Sequence, residues 1–514
     1  MENAFQKRMI TVSIMLATIM QALDTTIANV ALPHMQGALN ATQEQATWIL
    51  TSYIVAAAIM TAPTGILAAR LGRKRLFLIS IVGFVISSIL CGVATSLSQM
   101  VFFRLLQGVF GAGLVPLSQA VLLDINPREK HGQAMAMWGV GVMLGPILGP
   151  TLGGWLTEYY NWRWVFYINV PIGVAAFLGV LTFMSETDKK PERRFDVLGF
   201  ILLSLFIGSL QMMLDRGQSQ EWFSSIEVIS EAVIAGLAIY LFLVHILTTK
   251  KHPFLEPEMF KDRNYALSLL FIFVVGIILL ASMALLPPYL QSLMGYPVLL
   301  TGMVLAPRGI GTMAAMMIVG RLTDKIDARW LIFFGMSLIA YSLYDMSLFN
   351  AEVPVSLLVK TGIIQGFGMG FVFVPLSTLA YATLSPHYRN DAAAIFSLVR
   401  NIGSSVGISI VITLLARNIQ INHADLAAHI IPFGNAGNLL SGYADAASGT
   451  SGTMALAMID AEVNRQAATI SYLNDFLLMM YVVILSMPML FLLKKREKTI
   501  TPDQGLDDVA TAVE

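Results

Sequence analysis

Long apolar stretches, each close to the length of a bilayer-crossing helix, follow one another along this chain with only short polar gaps between them. A helix needs about 20 apolar residues to span the hydrocarbon. Stretches of that kind fall at 10–32, 47–69, 76–95, 99–122, 134–157, 164–184, 196–214, 228–248, 265–290, 298–320, 330–349, 355–380, 392–416 and 472–493, numbered here as spans 1 to 14. The pattern predicts an all-α polytopic membrane protein with 14 transmembrane helices. One connection is long: residues 417–470, rich in Gly, Ala, Ser and Asn, read as an outer loop, with helical spacing from Thr453 to Ile470.

Composition agrees with a lipid-facing surface. The chain is 56% hydrophobic and only 12% charged, with a mean hydropathy of +0.70, where a soluble domain carries about 25% charged residues. Thirty-two basic side chains balance 32 acidic ones, so no net basic field points to nucleic acid. The gaps, however, are unequal in charge. Arg70, Arg73, Lys74 and Arg75, then Arg128 and Lys130, Lys189 to Arg194, Lys250 to Arg263, and Arg321 to Arg329 occupy alternate connections. Basic residues are retained on the cytoplasmic side, which places those gaps and both termini there. The N-terminal segment runs into span 1 without a small-residue cleavage site and reads as an uncleaved first span. The single cysteine, Cys91, excludes an intramolecular disulfide framework and a cysteine-based metal site.

Two segments recur about 255 to 260 residues apart. GILAARLGRKRL at 65–76 answers to GRLTDKIDARWL at 320–331, and Gln107-Gly108 with Pro116-Leu117-Ser118 answers to Gln365-Gly366 with Pro375-Leu376-Ser377. Span 2 therefore corresponds to span 10, and spans 4 and 5 to spans 12 and 13. The division that follows is a first six-helix half at 1–190, a two-helix linker insertion at 191–262, a second six-helix half at 263–498 and a tail at 499–514. Parallel halves of this kind place a site between them near the middle of the membrane.

Several strings resemble the major facilitator superfamily, and within it the fourteen-helix drug/proton antiporters of the EmrB type. These are LDTTIANVALP at 23–33, FRLLQGVFGAG at 103–113, GVMLGPILGPTLGGWL at 141–156, WRWVFYINVPIG at 162–173, LDRG at 214–217 and WFSS at 222–225. The resemblance implies a major facilitator fold, two six-helix halves plus two inserted helices, and a proton-driven exporter of hydrophobic toxic compounds in a bacterial inner membrane. It implies no cofactor beyond the proton gradient. It also implies a periplasmic adaptor of the EmrA type and an outer-membrane channel as partners, with the 417–470 loop as the place to look for contact. The loop motif of the superfamily has an acid where this chain has Ala69, while its second copy keeps Asp324. Gly65, Arg70, Gly72, Arg73 and Asp324 are the gating-loop candidates.

Asp24 is the candidate with most chemistry, because it is read as the one carboxylate deep in a span, and an ionisable group at that depth is costly and functional by default. Helical rise puts it about 13 Å, and Arg104 about 8 Å, below the outer ends of their spans, so the two can meet. Burial raises a carboxyl pKa and a nearby guanidinium lowers it; a change in water access then lets Asp24 take and release a proton. Gly141, Gly145, Gly149 and Gly153, with Gly154, clear a face of span 5 for close helix approach, and Pro146 and Pro150 can bend it. Gln21, Asn29, Gln107, Arg308, Gln365, Arg400 and Asn401 are candidates for a substrate cavity. Three deep arginines against one acid predict an electropositive cavity for neutral or weakly acidic lipophilic substrates. Asp345, Lys360 and Asp475 read as snorkelling near outer ends, and His245 as interfacial. An importer of a small metabolite on the same fold is the alternative. A membrane enzyme is disfavoured, since seven scattered histidines form no catalytic cluster, and no GxxxxGK[ST] string offers ATP drive.

Overall fold

The computed structural model describes residues 4–127, 130–186, 195–249, 254–323, 325–350, 352–385, 388–429 and 450–493. Among these there are 13 helices long and apolar enough to cross a membrane, or 14 when a bent pair is taken as one span. The bent pair is span 2, Gln45–Thr61 followed by Thr64–Leu71 at 57°. Pro63 at the break has no N–H to give and its ring obstructs the preceding turn. Span 4 is likewise divided, Leu97–Gly111 and Leu114–Ile125.

Spans 1 to 6 pack as one bundle and spans 9 to 14 as another. In each bundle a glycine-lined helix lies tightly on the first helix. In the first, Gly145 of span 5 meets the backbone of Ala22, and Gly149 meets Thr26 of span 1; in the second, Gly403 and Gly407 of span 13 meet the backbones of Phe273 and Ile277 of span 9. The Thr26 hydroxyl donates to the Gly145 carbonyl at 3.1 Å. Span 5 runs unbroken from His131 to Tyr159 through both of its prolines, and Gly154 has open space beside it; it does not belong to the packed face.

The two bundles close on one another at the end that carries the basic loops. Gly132 and Gly139 of span 5 abut Thr323 and Met316 of span 10, and the Trp138 ring stacks on Phe373 at 5.9 Å. Asp124, at the end of span 4, holds both Arg73 and, across the seam, Arg389 at 2.7 Å. Gly65 lies so close to the Asp391 backbone that a Cβ there would sit 2.9 Å from it. Gly72 ends the short second piece of span 2 with φ +90°, a conformation only glycine adopts without cost. Arg70 is exposed, and Asp324 lies outside the described residues.

The inserted pair, Val197–Arg216 and Ile226–Thr248, is more than a linker. Its first helix packs on span 2 and reaches span 13, covering the seam between the bundles from one side. At its basic-loop end Asp196 accepts from the Gly199 and Phe254 amides and pairs with His245 at 2.8 Å.

The expected 417–470 loop is in large part helix. Span 13 continues to Ala428 and span 14 begins at Thr450, helices of 40 and 37 residues. At 1.5 Å per residue these are about 60 and 55 Å long, roughly twice the hydrocarbon thickness. Beyond the apolar stretch they run together as an antiparallel hairpin, with Asn422 donating to Ser471 at 2.9 Å and His423 beside Asp460 at 3.0 Å. The helical spacing of Thr453–Ile470 already pointed to this; residues 430–449, with most of the Gly/Ser-rich stretch, lie outside the described residues.

Candidate functional site

Asp24 lies in the middle of span 1 and is fully buried. Arg104 of span 4 donates to its Oδ2 at 2.7 Å, and the pair is shut off from solvent, with side-chain exposures of 0% and 1%. Two amides complete the carboxylate's shell: Gln107 and Asn169 each donate to Oδ1 at 2.8 Å. Both amides also donate to the Ser88 hydroxyl, at 3.2 and 2.9 Å, and that hydroxyl donates to the Phe166 carbonyl. Arg104 also donates through Nε to the Ile49 carbonyl and through Nη1 to Gln107 Oε1, while Cys91 lies 3.8 Å from the same Gln107 oxygen. Five spans thus converge on one charge pair. Isolated burial of either ion would cost several kcal/mol, and only a shell this complete offsets it.

Tyr53 of span 2 links this closed cluster to space outside it. Its ring lies under the Arg104 guanidinium at 4.4 Å, a cation–π contact, and its hydroxyl accepts from Gln21 at 3.1 Å. Tyr53 and Gln21 both face a cavity of about 240 Å³ between the bundles, walled by spans 1, 2, 9 and 13 and by the first inserted helix. The cavity occupies the part of the molecule away from the basic loops, so the arrangement is closed at the basic end and hollow toward the other.

The sequence candidates divide clearly. Gln21 and Asn401 line the cavity. Gln107 does not: it is consumed by the Asp24 shell. Asn29 is exposed and away from the cavity. Gln365, the repeat counterpart of Gln107, is fully buried, and among the described residues neither of its amide atoms has a hydrogen-bond partner. Arg308 lines a separate small pocket inside the second bundle and donates to Ser282 at 2.9 Å. Arg400, one residue from Asn401, does not face the cavity and forms no ion pair among the described residues.

Two expectations are therefore corrected. The cavity is not electropositive: among the described residues the one charged side chain on its wall is Asp215, at the end of the first inserted helix, and the Arg104 charge is spent on Asp24. Nor is Asp24 the sole buried acid. Asp475 of span 14, near the outer end of its apolar stretch and read as snorkelling, is 1% exposed on a helix packed against span 11. Asp345 and Lys360 do lie together, at 3.7 Å.

Reading only charges missed Asn169, Ser88 and Tyr53. Asn169 was visible as an amide inside an apolar run, but nothing local says that it turns toward span 1. Asp215 lies one residue beyond the apolar stretch at 196–214; the helix runs to Arg216, which brings the carboxylate onto the cavity wall. Among the described residues no group of His, Cys, Asp and Glu is arranged to hold a metal ion.

Comparison with known proteins agrees with this architecture. The profile of the Major Facilitator Superfamily matches residues 14–408. The chain is 39% identical over 425 residues to the multidrug export protein EmrB of Escherichia coli K12, covering 82% of this chain and 83% of that one. It is 35% identical to the probable multidrug resistance protein EmrY of the same organism, over 90% of both chains, and 36% identical to the fatty acid resistance protein FarB of Neisseria gonorrhoeae, over 82% and 84%. Among solved structures, a double-tryptophan mutant of XylE aligns with a TM-score of 0.63 at 14% identity, over 97% of this chain and 98% of that one. The human organic anion transporter MFSD10 aligns with a TM-score of 0.58 at 15% identity, over 93% and 99%; at such identities the likeness concerns the fold.

Proposed function

This chain belongs to the Major Facilitator Superfamily, a transporter and not an enzyme, and from that premise we propose that it is a proton-driven antiporter exporting lipophilic toxic compounds across a bacterial cytoplasmic membrane. The names of its EmrB and EmrY relatives support export of drugs as the kind of work done. The observation that carries the reading is the position of Tyr53, shared between the inter-bundle cavity and the Asp24–Arg104 pair.

Coupling follows from that sharing. A ligand entering the cavity competes for Tyr53 and Gln21, and disturbing Tyr53 disturbs the face of the Arg104 guanidinium. While Arg104 is held on Asp24 the pair stays closed; loosening that contact opens the carboxylate to proton exchange. Asp24 then carries the exchanged proton and Arg104 sets when it is released. The arrangement described here, sealed at the basic-loop end by Asp124, Arg73 and Arg389, is the outward-facing state if those loops are cytoplasmic, as the positive-inside bias supports; both termini are then cytoplasmic as well. The bundles alternate by rocking about the glycine-lined contacts of span 5.

The test is Asp24→Asn in proteoliposomes under an imposed pH gradient. Substrate-induced proton movement is expected to vanish, and movement of wild-type size would sink the assignment. A periplasmic adaptor of the EmrA kind, with an outer-membrane channel beyond it, is proposed to engage the hairpin made by the ends of spans 13 and 14. Replacing residues 417–470 by a short Gly/Ser linker should abolish adaptor capture; capture at the wild-type level would remove the hairpin from the assembly.

A further inference from the structure

The first inserted helix contributes to the cavity the one charge that faces it. Asp215 accepts a hydrogen bond from the Thr51 hydroxyl of span 2, and its neighbour Arg216 is turned to the other side, engaged with Glu227 of the second inserted helix and lying over the Trp48 ring. The arginines that would otherwise set the sign of the cavity are elsewhere: Arg104 is paired with Asp24, Arg308 is in its own pocket, and Arg400 is off the wall. Around Asp215 the lining alternates apolar surface, Leu214, Leu280 and Ile412, with neutral hydrogen-bonding groups, Gln211 and Gln218. At about 240 Å³ the space is somewhat below the range of most ligand pockets, about 300–1,000 Å³, and suits a body of one or two rings.

We propose that Asp215 is a recognition carboxylate, supplied by the inserted helix pair, that selects substrates pairing an apolar body with a protonated amine. An exposed carboxylate on an otherwise apolar and neutral wall repels an anionic ligand and offers a cation both Coulombic attraction and a charge-assisted hydrogen bond. The inserted pair then has a recognition role as well as closing the seam between spans 2 and 13. The inference rests on reading this cavity as the substrate site.

Three probes with the same aromatic body separate the possibilities: naphthylmethyl-dimethylamine, protonated at neutral pH; isobutylnaphthalene, its neutral isostere; and naphthylacetate. Binding to the purified full-length protein in nanodiscs is followed by naphthalene fluorescence, with no pH gradient imposed. In the wild type the amine should bind more tightly than its isostere. Asp215→Asn should weaken the amine at least tenfold relative to the isostere and should not weaken naphthylacetate, and Asp215→Glu should restore most of the amine preference. Equal loss for amine and isostere, or no change in their ratio, would overturn the proposal, and so would tighter wild-type binding of naphthylacetate than of the amine. Because no proton gradient enters this measurement, a failure of the antiport reading would appear in the transport assay and leave the Asp215-dependent binding ratio intact.

Discussion

The Asp24–Arg104 pair invites a double-mutant cycle in which folding and transport give opposite answers. Asp24→Asn removes the charge that Arg104 faces, and the guanidinium, 1% exposed, is left without an anion. The new side-chain NH2 must also face a donor, either Arg104 on the Oδ2 side or Gln107 and Asn169 on the Oδ1 side. Breaking a buried pair on one side costs about 3–5 kcal/mol, and the completeness of this shell places Asp24→Asn in that range. Arg104→Gln strands Asp24 with its two amide donors and sits at the lower end, about 3 kcal/mol. In the double variant no charge is buried, and neutral replacement of such a pair is often close to thermodynamically neutral. Because the two single costs would then both be absent from the double variant, the coupling energy should be about 6 kcal/mol or more, measured by steric trapping in bicelles. Transport gives the contrast: both single variants and the stable double variant should lack substrate-induced proton release. Destabilisations that add to within about 0.5 kcal/mol would mean that the two residues are energetically independent, and the argument from pairing would fail. A double variant that regained proton release would refute Asp24 as the carrier.

Three further outcomes follow from particular contacts. Gly145→Ala should destabilise by about 1–3 kcal/mol and lower transport, because its Cβ would sit 2.6 Å from the Ala22 backbone, whereas Gly154→Ala, which meets open space, should stay within about 0.5 kcal/mol of wild type; equal thermal shifts would undo the packing argument. Asp124→Asn weakens its hold on Arg73 and Arg389, and since Asp124 is about one-third exposed the effect is set at about 1 kcal/mol, roughly a fivefold shift in population. Spin labels at the exposed positions 70 and 325 should report longer separations in that variant, and an unchanged distance distribution would count against Asp124 as a gate. Tyr53→Phe keeps the ring on Arg104 but gives up the Gln21 contact, so it should raise the KM for substrate more than it lowers the response to an imposed pH gradient.

The linear sequence determined the solvent, the number of spans, the repeat and the identity of the central acid, because each depends on composition along a helix or on spacing within one. Fourteen apolar stretches of bilayer length can only be helices in lipid, where every backbone group must be satisfied internally. Asp24 stood out for the same reason, a charge inside an apolar run. What required the tertiary structure was everything that depends on the direction a side chain takes across the bundle. Arg104 and Gln107 are three residues apart on one helix face and both reach Asp24, but Asn169 and Ser88 arrive from two other spans. Arg308 and Arg400 looked equivalent to Arg104 by depth and carry no such pair among the described residues. The sign of the cavity reversed for that reason: charge counted along the chain is not charge facing a cavity, and one carboxylate on an inserted helix outweighs arginines that are paired or turned elsewhere. The outer segment was decided likewise by contact, since two helix ends that look too polar to persist alone hold each other beyond the membrane.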